Sequence, residues 1–203
     1  MNELDFLEAR LRLLITDLAP GIRQSILVSL QDFIEREEVR GAIDQCLRQD
    51  SCEQIKLQAA VLLIRLSEVP SETLKTVLEL CKKLDDANKR FLIISLEIMP
   101  PSAEVLATLI DLLENDPSIA IRREAAHVIC NRYLMNQNAR DALLKAAQRD
   151  SSGEVRWLCY RILDEIWNEL DFNNSISKFI WIELYNEIQQ MLIEEDKMRH
   201  LVL

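Results

Sequence analysis

Two histidines, His127 and His200, and five cysteines, Cys46, Cys52, Cys81, Cys130 and Cys159, are the side chains best suited to acid–base, nucleophilic or metal chemistry. Their spacing supports none of these. No cysteine is followed by a histidine three or four places on, and no CxxC occurs, so two of the common zinc-ligand spacings are missing from the sequence. His127 has Asn131 four places on, which makes a hydrogen-bonding pair and not a base beside a nucleophile. Cys46 and Cys52 straddle a turn but have no cation pattern that would activate a thiol. Glu35, Glu37 and Glu38, like Glu194, Glu195 and Asp196, read as solvated helix ends. HExxH, GxSxG, GxGxxG and P-loop patterns are absent. The expectation is a non-catalytic chain with no metal and no cofactor.

Other charged residues do recur on a schedule. Arg23, Lys56, Lys89, Arg122 and Arg156 follow one another at intervals of 33, 33, 33 and 34 residues. Each is preceded by an aspartate: Asp17, Asp50, Asp85, Asp116 and Asp150. Small or apolar residues stand three, four and seven places after each basic one, as in Ala125, Ala126 and Ile129. A fixed period of this length marks stacked structural repeats, none of which can bury its apolar face alone.

The elements that carry this schedule read as helix pairs. Outer helices are expected near 3–17, 38–49, 71–84, 102–115 and 137–149. Inner helices are expected near 22–36, 53–67, 87–98, 118–134 and 152–169. Apolar residues recur at spacings of three and four, as in Leu74, Val77, Leu78 and Cys81. Prolines 20, 70, 100, 101 and 117 fall between these segments, where a missing amide does no harm. Asp116-Pro117 is expected to cap the next helix, with Pro117 in its first turn. No convincing alternating strand pattern occurs, and three glycines are few for a sheet protein. A single array over 1–171 is expected, with repeats near 3–36, 38–67, 71–98, 102–134 and 137–169. A further helix over 175–199 is read as a cap on the open end of the stack. Trp181, Ile182 and Tyr185 widen its apolar surface, which leaves a homodimer or a docked partner through this helix as the alternative.

The segments DPSIAIRREAAHVI (116–129) and DSSGEVRWLCYRIL (150–163) resemble the inner-helix signature of HEAT repeats, closest to the short bacterial type also found in phycobilisome lyases. APGIRQSILVSL (19–30) and DSCEQIKLQAAVLLI (50–64) match it more loosely, and DDANKRFLIISL (85–96) departs most, with Asn88 in place of Ile or Val. The resemblance implies an all-α, right-handed solenoid of about five HEAT-like helix pairs. It also implies a hydrogen-bonded ladder in which Asp17, Asp50, Asp85, Asp116 and Asp150 hold Arg23, Lys56, Lys89, Arg122 and Arg156. Independently, a cation that opens an apolar run is tolerable only when paired with carboxylates. By analogy alone the resemblance implies a bilin-lyase-like or chromophore-handling, phycobilisome-associated protein, and more remotely a HEAT-type nucleic-acid binder.

Composition narrows the partner. The sequence is 49% hydrophobic and 29% charged, as expected of a folded chain and not a disordered one. A net charge of -10 repels phosphate backbones and argues against nucleic acid. No apolar run approaches the roughly 20 residues a membrane helix needs. The acidic start MNELDFLEARLRLL and the odd, scattered cysteines point to a cytoplasmic chain. Places one, five and nine after each basic residue point away from the core. Leu57, Val61, Arg65, Arg90, Ile94, Arg123, His127, Trp157 and Arg161 occupy nine of them. These nine are the candidate site, a face for a protein or peptide with acidic and apolar groups. The alternative is that Leu57, Val61 and Ile94 pack against neighbouring helices and the arginines merely solubilise.

Overall fold

The computed structural model describes residues 3–169, and Asn186 alone beyond them. The helix expected over 175–199, with His200 after it, lies outside the described residues. Among the described residues the secondary structure is helical, with no strand. The chain divides into two compact units, Met1–Pro100 and Pro101–Leu203.

The first unit holds α1 (Glu3–Thr16), α2 (Pro20–Ser29), α3 (Glu37–Gln49), α4 (Glu53–Leu63), α5 (Ser71–Lys83) and α6 (Asp86–Ser95). Successive helices pair, α1 with α2, α3 with α4 and α5 with α6. First helices pack on first helices, and second helices pack in the order α2, α4, α6. The second unit holds α7 (Ala103–Asn115), α8 (Ile119–Tyr133), α9 (Gln137–Arg149) and α10 (Gly153–Glu169). It repeats the plan, with α7 on α8, α9 on α10, α7 beside α9 and α8 beside α10. This is the all-α succession of helix pairs that the period predicts.

The period works because it places the same side chains inward in every pair. All fifteen residues three, four and seven places after the basic residues are buried, from Ile26, Leu27 and Leu30 to Cys159, Tyr160 and Leu163. On a helix these places share one stripe, and that stripe faces the first helix of its pair and the neighbouring second helices.

The second helices begin at residues 20, 53, 86, 119 and 153, which is the schedule of the basic residues moved back by three. Four of the loops before them are built alike. The Asp17 carboxylate accepts the Ala19 amide at 2.8 Å, Asp50 that of Cys52 at 2.7 Å, Asp116 that of Ser118 at 3.0 Å and Asp150 that of Ser152 at 2.8 Å. Each is a short side-chain-closed turn that sets the entry to the next helix. The expectation for Asp116-Pro117 is corrected accordingly. α8 starts at Ile119 behind Ser118, so Pro117 sits within the turn and Asp116 closes the turn without capping the helix.

The second helices of the first unit end earlier than their apolar patterns suggest. α2 stops at Ser29 and passes into a 3-10 turn over Gln31–Phe33. There the Ser29 hydroxyl donates to the Ile26 carbonyl at 2.7 Å, and the Leu30 amide is shared between Ile26 and Leu27. Both tighten the last turn from four-residue toward three-residue bonding.

Candidate functional site

The aspartate–arginine pairs join successive repeats. Arg23 on α2 donates from Nε and Nη2 to both Asp50 oxygens at 2.8 Å, while its Nη1 reaches the Asp17 carbonyl at 2.7 Å. Arg122 on α8 does the same one unit later: 2.8 and 2.9 Å to Asp150, and 2.9 Å to the Asp116 carbonyl. All four charged side chains are less than a tenth exposed. The hydrogen bond to the facing aspartate outweighs burial and holds each guanidinium pKa above its ordinary value. One arginine thus ties its own loop to the next loop. Arg156, half-buried, holds its own loop through the Asp150 carbonyl at 2.8 Å.

The ladder expected at Lys56 and Asp85 does not form. The loop before α6 is only Leu84-Asp85, so Asp85 stands one place before the helix instead of three. Its carboxylate is taken up as the helix N-cap, accepting the Asn88 amide at 2.9 Å and the Asn88 side-chain amide at 2.8 Å. Lys56 is half-buried, and its ammonium makes no hydrogen bond or ion pair among the described residues. A weaker link, Gln54 Nε2 to Asn88 Oδ1 at 3.3 Å, bridges α4 and α6 there. Lys89 and Asp116 are buried.

The structure places the nine candidate face residues unevenly. In the first unit Arg65, Arg90 and Ile94 are exposed, and Val61 is half-buried. Leu57 is a correction, for it is only 5% exposed and belongs to the core. α4 is the middle of three second helices and has a neighbour on both flanks, so a place that is open elsewhere is covered here. In the second unit Arg123, His127, Trp157 and Arg161 are all exposed. Two contacts bring three of these into one patch on α8 and α10. Arg123 Nη1 meets Glu154 Oε2 at 3.1 Å across the two helices, and the Arg161 guanidinium lies 5.0 Å from the Trp157 ring centre.

Sequence reasoning missed Glu154, which pairs with Arg123, and the exposed Phe91 and Ile119. The outward angle of Phe91 on α6 follows from 100° per residue, so a finer count of helical position than one, five and nine would have found it.

Little on these faces is arranged for bond-making. The Cys46 thiol pKa is pushed up to about 11, and that of Cys159 to about 12, both chiefly by burial. High thiol pKa values make inert cysteines. No group of three or more His, Cys, Asp or Glu is placed to hold a metal among the described residues. None of the described helices is long and apolar enough to cross a membrane. A shallow cleft of about 360 Å³ lies against α7 and α8, lined by Pro101, Leu106, Tyr133 and Met135 among others. The Tyr133 hydroxyl there accepts the Ser102 amide at 3.3 Å, a contact that ties α8 to the start of α7.

Residues 106–172 match the family model of HEAT repeats, a stretch that takes in most of α7 and all of α8, α9 and α10. The chain carries HEAT repeats over that stretch. No curated protein matches it.

Proposed function

We propose that this chain is a non-catalytic interaction module, and that the α8–α10 face holds a protein or peptide segment carrying carboxylates beside apolar groups. HEAT repeats typically serve as protein-interaction scaffolds, and stacked helix pairs present equivalent side chains side by side at roughly 10 Å.

The observation that carries the reading is Trp157. It is 42% exposed on a helix whose core positions are filled, and Arg161 lies over its ring. Tryptophan and arginine are the residue types that most often dominate interface energies. At that exposure a large part of the ring is left open to a contact outside the fold. Arg123 and Arg161 set positive charge around it on a chain of net charge -10, which favours an acidic partner segment.

The test is affinity capture from the source organism with the wild-type chain, the Arg123→Glu/Trp157→Ala double variant and Lys75→Glu on α5. A partner retained by wild type and Lys75→Glu but lost by the double variant supports the face. Loss on Lys75→Glu with retention on the double variant places binding on the first helices instead.

A further inference from the structure

Among the described residues no helix pair packs ahead of α1 and α2. Later repeats show what such a neighbour covers. Places eleven and four before the loop aspartate and five after it hold Val39, Cys46 and Ile55 around Asp50, and Ala139, Ala146 and Val155 around Asp150. All six are buried. In each case a preceding pair packs on the elements that carry them, α1 on α3 and α2 on α4, then α7 on α9 and α8 on α10. Around Asp17 the same places hold Phe6, Leu13 and Ile22, which are 46%, 45% and 47% exposed. α1 and α2 have each other and the following repeat, so a preceding repeat is the neighbour these side chains lack. A terminal unit that met only water would carry polar groups there. The polar exchange nearby is Arg10, at the place of buried Ile43 and Leu143, and its guanidinium lies 3.9 Å over the Phe6 ring.

The carboxylate of this end is also only half used. Asp17 Oδ1 closes its loop through the Ala19 amide, as Asp50 Oδ1 does for Cys52 and Asp150 Oδ1 for Ser152. Asp50 Oδ2 and Asp150 Oδ2 then receive the Nε of an arginine from the preceding repeat. Asp17 Oδ2 receives no hydrogen bond or ion pair among the described residues. Arg122 further reaches the Ser151 hydroxyl at 3.3 Å, and the residue at that place beside Asp17 is Leu18, which is 95% exposed.

We propose that the α1–α2 end is a docking site for a helix of another protein, one that brings an arginine to Asp17 and aliphatic side chains to Leu18 and Ile22. The chemistry is that of α8, which carries Arg122 to Asp150 and packs on the helix of Val155. Arginine is favoured over lysine because the carboxylate edge filled at Asp50 and Asp150 takes two parallel N–H donors. The site lies wholly in the first unit and owes nothing to the α8–α10 face.

The test titrates the full chain, 15N-labelled, with a peptide of residues 116–133. A hydrocarbon bridge between places 123 and 127, both exposed on α8, keeps the peptide helical, which its far-UV spectrum verifies. Wild type should bind it with a Kd below about 1 mM, and the largest amide shifts should fall at Leu18 to Ile22. Asp17→Asn keeps the oxygen that closes the loop and should weaken binding about tenfold, as should Arg122→Ala in the peptide. Combining the two should weaken it little further, because both remove one contact. Ile22→Asp should abolish binding. A helical peptide that does not bind overturns the proposal, as do shifts centred elsewhere or a Kd that Asp17→Asn leaves unchanged. A wild type that sediments as a dimer and becomes monomeric with Ile22→Asp overturns it too, since a second copy would then cover this end.

Discussion

Arg122 and Asp150 stand on successive repeats and meet fork to fork, Nε to Oδ2 at 2.8 Å and Nη2 to Oδ1 at 2.9 Å. Both side chains are nearly sealed from water, at 7% and 6% exposure. The same aspartate closes its own loop through the Ser152 amide, and the same arginine holds the previous loop through the Asp116 carbonyl. The pair therefore sets the distance between two turns, and with them the registry of two second helices. Its worth lies in that registry more than in net energy, because desolvation of both ions offsets most of their attraction.

Removing one partner should therefore be costly and removing both should not. Arg122→Ala leaves Asp150 charged and enclosed, and should lower stability by about 3–5 kcal/mol in chemical denaturation. Arg122→Met with Asp150→Leu should recover most of that loss. A single variant as stable as wild type would contradict the assignment.

The junction of the second and third repeats should behave differently. Lys56 has no carboxylate to lose, so Lys56→Ala should change stability by less than about 0.5 kcal/mol. Asp85→Ala should cost about 1 kcal/mol, the usual value of a helix N-cap. Thermal melts of the two variants beside Arg122→Ala would rank them. A Lys56→Ala loss equal to that of Arg122→Ala would show that a ladder rung exists there after all.

Asp85 and Leu57 mark where the sequence stopped being legible. The interval of the basic residues fixes where each second helix starts, because helix start and cation keep a constant offset. The aspartate schedule does not carry over so simply. Shortening a loop by one residue changes whether a carboxylate closes a turn or caps a helix, and both give the same composition. Leu57 fails for another reason. Its helical angle is that of Trp157, but α4 has neighbours on both flanks, and local periodicity says nothing about neighbours. The exposure of Arg123 and Trp157 was readable because both stand at the same outward place after a basic residue. The Glu154 partnership was not, since it joins two helices whose relative rotation no single helix specifies.

The buried thiols make stability fall in alkali. A native pKa raised above the unfolded value means the native state holds its proton longer. That contribution is complete below the ordinary thiol range and is lost as pH rises through it toward the native value. For Cys159 the window runs from the ordinary thiol pKa to about 12. Urea midpoints measured from pH 8 to 10.5 should decline more for wild type than for Cys159→Ala, and equal slopes would count against the burial argument. With maleimide at pH 7.5, half-buried Cys52 should be modified well before Cys46 and Cys159.

The last expectation concerns Glu154. It occupies Arg123 at 3.1 Å, yet the two side chains are 47% and 62% exposed. Exposed pairs of this kind are worth about 0–1 kcal/mol, so the fold gains little from it. For an acidic partner the same carboxylate is a competitor, since it must be displaced before Arg123 can be engaged. Glu154→Gln should therefore leave the melting midpoint nearly unchanged and tighten binding of the captured partner severalfold. Arg123→Glu should weaken binding and remove part of its salt dependence, because screening acts on the charge contact. Trp157→Ala should cost about 2 kcal/mol or more in affinity and leave the salt slope as it was. Titrations of the partner against these three variants at two salt concentrations separate the contributions. If Glu154→Gln weakened binding, the partner would be reading the ion pair itself and would not carry the carboxylate assigned to it here.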